Sequence, residues 1–102
     1  MNAEELNEQI NYISGHMSSP ALFEQLAEEC VELAKVSLKI ARVLRNENPT
    51  PASIVNICGD FVEELTDVNL VCDTLHVFPN IDIYKKKTNR WYKRLHRESS
   101  NE

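Results

Sequence analysis

The sequence predicts an all-α protein, a helical bundle of about four helices with two long antiparallel ones at its centre. Three observations carry that prediction. Glycine occurs only at Gly15 and Gly59 in a chain of 102 residues. No segment alternates apolar and polar residues as a half-buried strand does, whereas apolar residues recur every three or four positions. Ser-Pro, Thr-Pro and Pro-Asn pairs stand where such helices must start and stop.

A short amphipathic helix from about Ala3 to Ile13 comes first. Ser19-Pro20 starts the second, with Ser19 as N-cap and proline at the first helical position. That helix runs to about Arg45, where Asn46-Glu47-Asn48-Pro49 ends it. Thr50-Pro51 repeats the start signal, and a second long helix runs to about Phe78 before Pro79 stops it. Asn80 is placed to cap a basic helix from Ile81 to about Arg97, on which Ile83, Trp91 and Leu95 are expected to pack against the bundle. Ser99 to Glu102 are expected to fray.

A chain of 102 residues holds one domain, 1–102, with its core expected over about 20–97. The apolar faces of both long helices are wider than one short chain can cover, so self-association into a homodimer or homotetramer is expected. Gly59, one turn before an acidic pair, is read as a point of close helix packing or a kink.

No apolar run approaches the roughly 18 residues that span a bilayer. The opening residues MNAEELNEQI are acidic and polar, unlike a signal peptide. Cys30, Cys58 and Cys72 are odd in number and lie in apolar periodic segments. They read as small buried hydrophobes in a reducing compartment, so the expected location is cytoplasmic, with no membrane partner.

The net charge of −5 hides an asymmetry. Residues 1–82 carry fourteen Asp and Glu against four Lys and Arg; residues 83–102 carry seven Lys and Arg against two Glu. The acidic body argues against broad nucleic-acid binding, while the basic tail leaves a local anion site open. Cations and aromatics interleave from Lys85 to Arg94, as in single-strand-binding arms, yet a helix with cations lining a phosphate site is the more economical reading. His16, His76 and His96 lack metal-ligand spacing and are expected at the surface. There is no glycine-rich phosphate loop, which excludes a P-loop ATPase.

The chemistry lies in two acidic clusters, Glu28-Glu29-Cys30-Val31-Glu32 and Glu63-Glu64-Leu65-Thr66-Asp67. At about 100° per residue, Leu22, Leu33, Val36 and Ile40 fall within about 40° of Glu29. Ile57, Val68, Val71 and Leu75 stand in the same relation to Glu64, again within about 40°. Each long helix therefore carries one carboxylate inside its apolar stripe and a second, Glu32 or Asp67, at the edge. Glu28 and Glu63 point away. Packed antiparallel, the helices bring four carboxylates together. Like charges in a poorly hydrated place need a proton, a basic partner or a divalent cation. Lys35, Lys39, Arg42 and Arg45 mostly face solvent, and all-oxygen ligation favours Mg²⁺, Mn²⁺ or Ca²⁺ over zinc or copper. Asp73-x-x-His76 is the nearest approach to a di-iron Glu-x-x-His motif, and it lies outside both clusters.

This pattern resembles the MazG-like superfamily of all-α nucleoside triphosphate pyrophosphohydrolases, whose signature is E-x-x-E on one helix and E-x-x-D on the next. The resemblance spans about residues 20–97. It departs from the family in a gap of 31 residues between Glu32 and Glu64, and in Val31 where glycine is common. It implies that Glu29, Glu32, Glu64 and Asp67 hold Mg²⁺, or Mn²⁺, and that a nucleoside triphosphate is cleaved to the monophosphate and pyrophosphate. It further implies that Lys87, Asn89 and Arg90 hold substrate phosphates, and Glu32 is the preferred general base. The alternative is a non-catalytic helical module that binds metal or a partner protein.

Overall fold

The computed structural model describes residues 1–47 and 54–100, the side chains of the last two excepted. Among these residues there are four helices and no strand: α1 (Ala3–His16), α2 (Ser19–Leu44), α3 (Ile54–Leu75) and α4 (Ile81–Ser100). The protein is all-α.

Helix ends follow local hydrogen bonding. Asn2 caps α1, its Oδ1 accepting the Glu5 N–H at 2.8 Å. That helix continues past Ile13 to His16, whose ring stacks on Tyr12 at 3.8 Å and whose Nδ1 lies 2.7 Å from the Tyr12 carbonyl oxygen. Ser18, not Ser19, caps α2: its Oγ accepts the Ala21 N–H at 3.2 Å. An N-cap side chain serves the N–H two or three residues on, and Pro20 then falls at the second helical position, where no intrahelical N–H bond is lost.

Both α2 and α3 end in a left-handed residue. Asn46 (φ 59°) follows α2, with Asn46 N–H donating to Val43 and Glu47 N–H to Arg42. His76 (φ 55°) follows α3, with His76 N–H donating to Asp73 and Val77 N–H to Cys72. These paired bonds are Schellman closures. They stop α3 at Leu75 rather than at Phe78, so backbone reversal at His76 ends the helix before Pro79 has any effect. The Thr50-Pro51 start signal lies outside the described residues. Asn80 caps α4 as expected, its Oδ1 accepting the Ile83 N–H at 3.0 Å.

Helices α2 and α3 pack along their lengths, and α1 lies against α3. The nine residues from Arg45 to Ser53 reach about 30 Å at most. Because α2 is about 39 Å long, α3 must return antiparallel to it. The shared core is small: Leu22, Ile57 and Val71 are buried, together with Thr74, whose hydroxyl donates to the Val71 carbonyl at 2.7 Å.

Helix α4 touches none of the other three. Its projection shows in a radius of gyration of 18.2 Å, against about 13 Å for a compact chain of this length. Ile83, Trp91 and Leu95 are therefore not packed on the bundle of their own chain; they are 52%, 63% and 54% exposed. The five-residue link from His76 to Asn80 leads α4 away from the hairpin instead of folding it back.

Two further expectations need correction. Cys30 and Cys58 are exposed and Cys72 half-buried, because they lie on faces of α2 and α3 that one chain leaves uncovered. A Cβ added at Gly59 meets nothing within 4 Å, so the glycine marks no close approach. Gly59→Ala should therefore stabilise the protein by about 0.5–1 kcal/mol through helix propensity alone, read as a higher melting temperature. Among the described residues no helix is long and apolar enough to cross a membrane.

Candidate metal centre

The helix phasing read from the sequence places its carboxylates correctly. Glu29 is half-buried about two turns beyond buried Leu22, while Glu64 and Asp67 are half-buried between Ile57 and Val71. Glu28, Glu63 and Asp60 are exposed. Carboxylate oxygens of Glu29, Glu64 and Asp67 all lie within 4.8 Å of one another, joining α2 to α3 at mid-length.

Glu32 stands outside this group. It is exposed at the rim and paired with Lys35, Nζ to Oε1 at 3.2 Å. Lys35 thus reaches back over one helical turn to neutralise the edge carboxylate. Among the described residues no lysine or arginine pairs with Glu29, Glu64 or Asp67. Gln25 is a contributor that the acidic pattern alone does not reveal. Its Nε2 donates to Glu29 Oε1 at 2.8 Å, fixing that carboxylate from one turn earlier. The i, i+4 spacing of Gln25 and Glu29 is the signal by which it is found.

The electrostatic consequence falls on Glu64. Partial burial raises its pKa above the ordinary carboxylate value; Asp67, then Glu29, Glu32 and Glu63, add like-charge repulsion in the same direction. The electrostatic tension is therefore felt at Glu64, whose proton affinity is raised.

A hard divalent cation fits this donor set. Carboxylate oxygens this close together from Glu29, Glu64 and Asp67 would suit a hard divalent cation such as Mg²⁺, which takes oxygen ligands. All three ligands are oxygen, which disfavours zinc or copper.

Lys87, Asn89 and Arg90 are not brought to this cluster. They are exposed on α4, which has no contact with α2 or α3 in the same chain. His16, His76 and His96 are exposed, as expected. No family model, curated protein or solved structure matches the chain.

Proposed function

We propose that this protein is a Mg²⁺-dependent nucleoside triphosphate pyrophosphohydrolase of the MazG-like type, acting in the cytoplasm as a homodimer or homotetramer. The observation that carries the reading is the convergence of half-buried Glu29, Glu64 and Asp67 from two helices, with no lysine or arginine among the described residues paired to them. Such a group is costly to hold together unless the ligand it serves is itself positive.

In this reading Glu29, Glu64 and Asp67 hold Mg²⁺, or Mn²⁺ in its place, and Gln25 keeps Glu29 turned towards the ion. The ion supplies charge neutralisation between carboxylate and phosphate oxygens and lowers the pKa of bound water. Glu32, at the wet rim, supplies outer ligation and takes the proton from the attacking water. The water oxygen bonds to the α-phosphorus, the bond from that phosphorus to the bridging oxygen breaks, and pyrophosphate departs with the electron pair. Lys87, Asn89 and Arg90 hold the departing phosphates, arginine by paired hydrogen bonds. Because α4 leaves its own hairpin untouched, these side chains serve a site only when α4 docks.

The test is release of pyrophosphate from a panel of ordinary and modified nucleotides, detected as phosphate after added pyrophosphatase. Turnover that requires Mg²⁺ and is lost in Glu64→Gln supports the reading. Mg²⁺ binding with no turnover on any nucleotide overturns it in favour of a non-catalytic helical module.

A further inference from the structure

Rotation about α4 separates what its sequence interleaves. At about 100° per residue, Trp91, Tyr84, Leu95, Ile81 and Tyr92 fall within one arc of about 100°. Lys86, Lys87, Arg90, Lys93, Arg94 and Arg97 fall within a second arc of about 120°, its centre about 150° from that of the first. The second arc holds no acid, and all of its cations are exposed. Lys85 stands apart from them, beside the apolar arc.

The cationic arc is crowded and uncompensated. Spacings of three and four set Lys86 beside Arg90, Arg90 beside Lys93 and Arg94, and Lys93 beside Arg97. Like charges so spaced weaken the helix that carries them, and an anion laid along the row relieves the repulsion. Among the described residues Lys86, Lys87, Arg90, Lys93 and Arg94 are in no ion pair. Arg90, Arg94 and Arg97 line one open recess of about 370 Å³ together with Glu98, and guanidinium groups hold phosphate oxygens in pairs.

The length and the segregation of this arc decide what it fits. From Lys86 to Arg97 the helix rises about 17 Å. Duplex DNA carries one negative charge per about 1.7 Å of its axis, so that length offers about ten phosphates to the six cations. A single strand is held by stacking its bases on aromatic rings among the cations, and here the rings lie on the other arc. A bilayer that took the apolar arc would leave the cations across a helix about 10 Å wide, more than the Debye length of about 8 Å in physiological salt. The acidic body, with fourteen Asp and Glu against four Lys and Arg in residues 1–82, repels any polyanion. Because α4 touches none of the other helices, its cationic side is open to one all the same.

We propose that the cationic side of α4 binds the phosphate backbone of double-stranded nucleic acid without reading its sequence. Lys86, Lys93, Arg94 and Arg97 take no part in the pyrophosphohydrolase reading, so this binding is a second activity and does not rest on turnover.

Anisotropy of a short labelled DNA duplex, titrated with the full chain over a range of salt, tests it. The logarithm of the affinity should fall with the logarithm of salt at a slope of about −3.6 to −5.4, for four to six phosphate contacts at about −0.9 each. Lys93→Ala and Arg94→Ala should each make that slope shallower by about 0.9, with helical content retained by circular dichroism. Lys85→Ala removes the same charge beside the apolar arc and should leave slope and affinity unchanged. The emission of Trp91, the only tryptophan, should not move when the duplex binds. A duplex that does not bind overturns the proposal, as does equal loss in Lys85→Ala and Lys93→Ala. Tighter binding to a single strand with quenching of Trp91 overturns the duplex in favour of base stacking. Binding to phosphatidylserine vesicles with a blue shift of Trp91, and none to the duplex, overturns it in favour of a bilayer. Pyrophosphate release is a separate measurement, so failure of either reading leaves the other standing.

Discussion

Glu64→Gln should raise the melting temperature of the metal-free protein while lowering its Mg²⁺ affinity by at least about tenfold. Both effects come from one carboxylate. Glu64 is half-buried, and its charge is opposed first by that burial and then by Asp67, Glu29, Glu32 and Glu63. Glutamine keeps the shape and removes the repulsion, so the apo fold gains. The same change removes a proposed ligand, so stabilisation by Mg²⁺, which grows with the ratio of free ion to dissociation constant, should largely disappear.

The pH dependence has a definite sign. A carboxyl group whose pKa is raised on folding binds its proton more tightly in the native state than in the unfolded one. Its contribution to stability is therefore fully present below the ordinary carboxylate pKa and is lost as pH rises through the elevated value of Glu64. The apo wild type should lose melting temperature across that window, and Glu64→Gln should lose less. Mg²⁺ competes with the same proton, so its affinity should fall as pH is lowered through the window. Calorimetric titration and thermal melts at several pH values measure both. Glu28→Gln, on an exposed face, should change neither. Equal slopes in wild type and Glu64→Gln would remove the tension assigned to this cluster.

The second large effect is expected at the basic helix. Lys87→Ala and Arg90→Ala should each lower kcat/KM for the triphosphate by about 10- to 150-fold, the equivalent of losing a charged hydrogen bond of about 1.5–3 kcal/mol. Mg²⁺ binding without nucleotide should survive, because neither residue touches the carboxylates of its own chain. Lys87 and Arg90 are three residues apart on α4, close enough to converge on one polyphosphate. Steady-state kinetics with each variant decides the point. Normal turnover combined with loss of salt-sensitive binding to DNA or RNA would instead make α4 a nucleic-acid arm.

How much of this was legible in the sequence follows from the range of each interaction. Which carboxylates turn inward depends only on rotation about a single helix axis, so Glu29 and Glu64 were separable from Glu28 and Glu63 before any fold was known. Chain stops were readable to within a few residues, since caps are local. The misses at Ser19 and Phe78 arose where neighbouring residues compete: Ser18 reached the free N–H of Ala21, and His76 took a left-handed backbone that its sequence does not advertise.

Only the tertiary structure decided what depends on two elements meeting. Asp67 of α3 joins Glu64 to Glu29 of α2 in one cluster, whereas Glu32 stands outside it. Apolar periodicity identified the faces of the helices but not what covers them. Cys30, Cys58, Trp91 and Leu95 all carried the pattern of buried residues, yet they are exposed in the single chain. The reason is that hydrophobic burial is non-directional: a stripe is written by local spacing, whereas the link at His76–Asn80 determines that α4 finds no partner in its own chain.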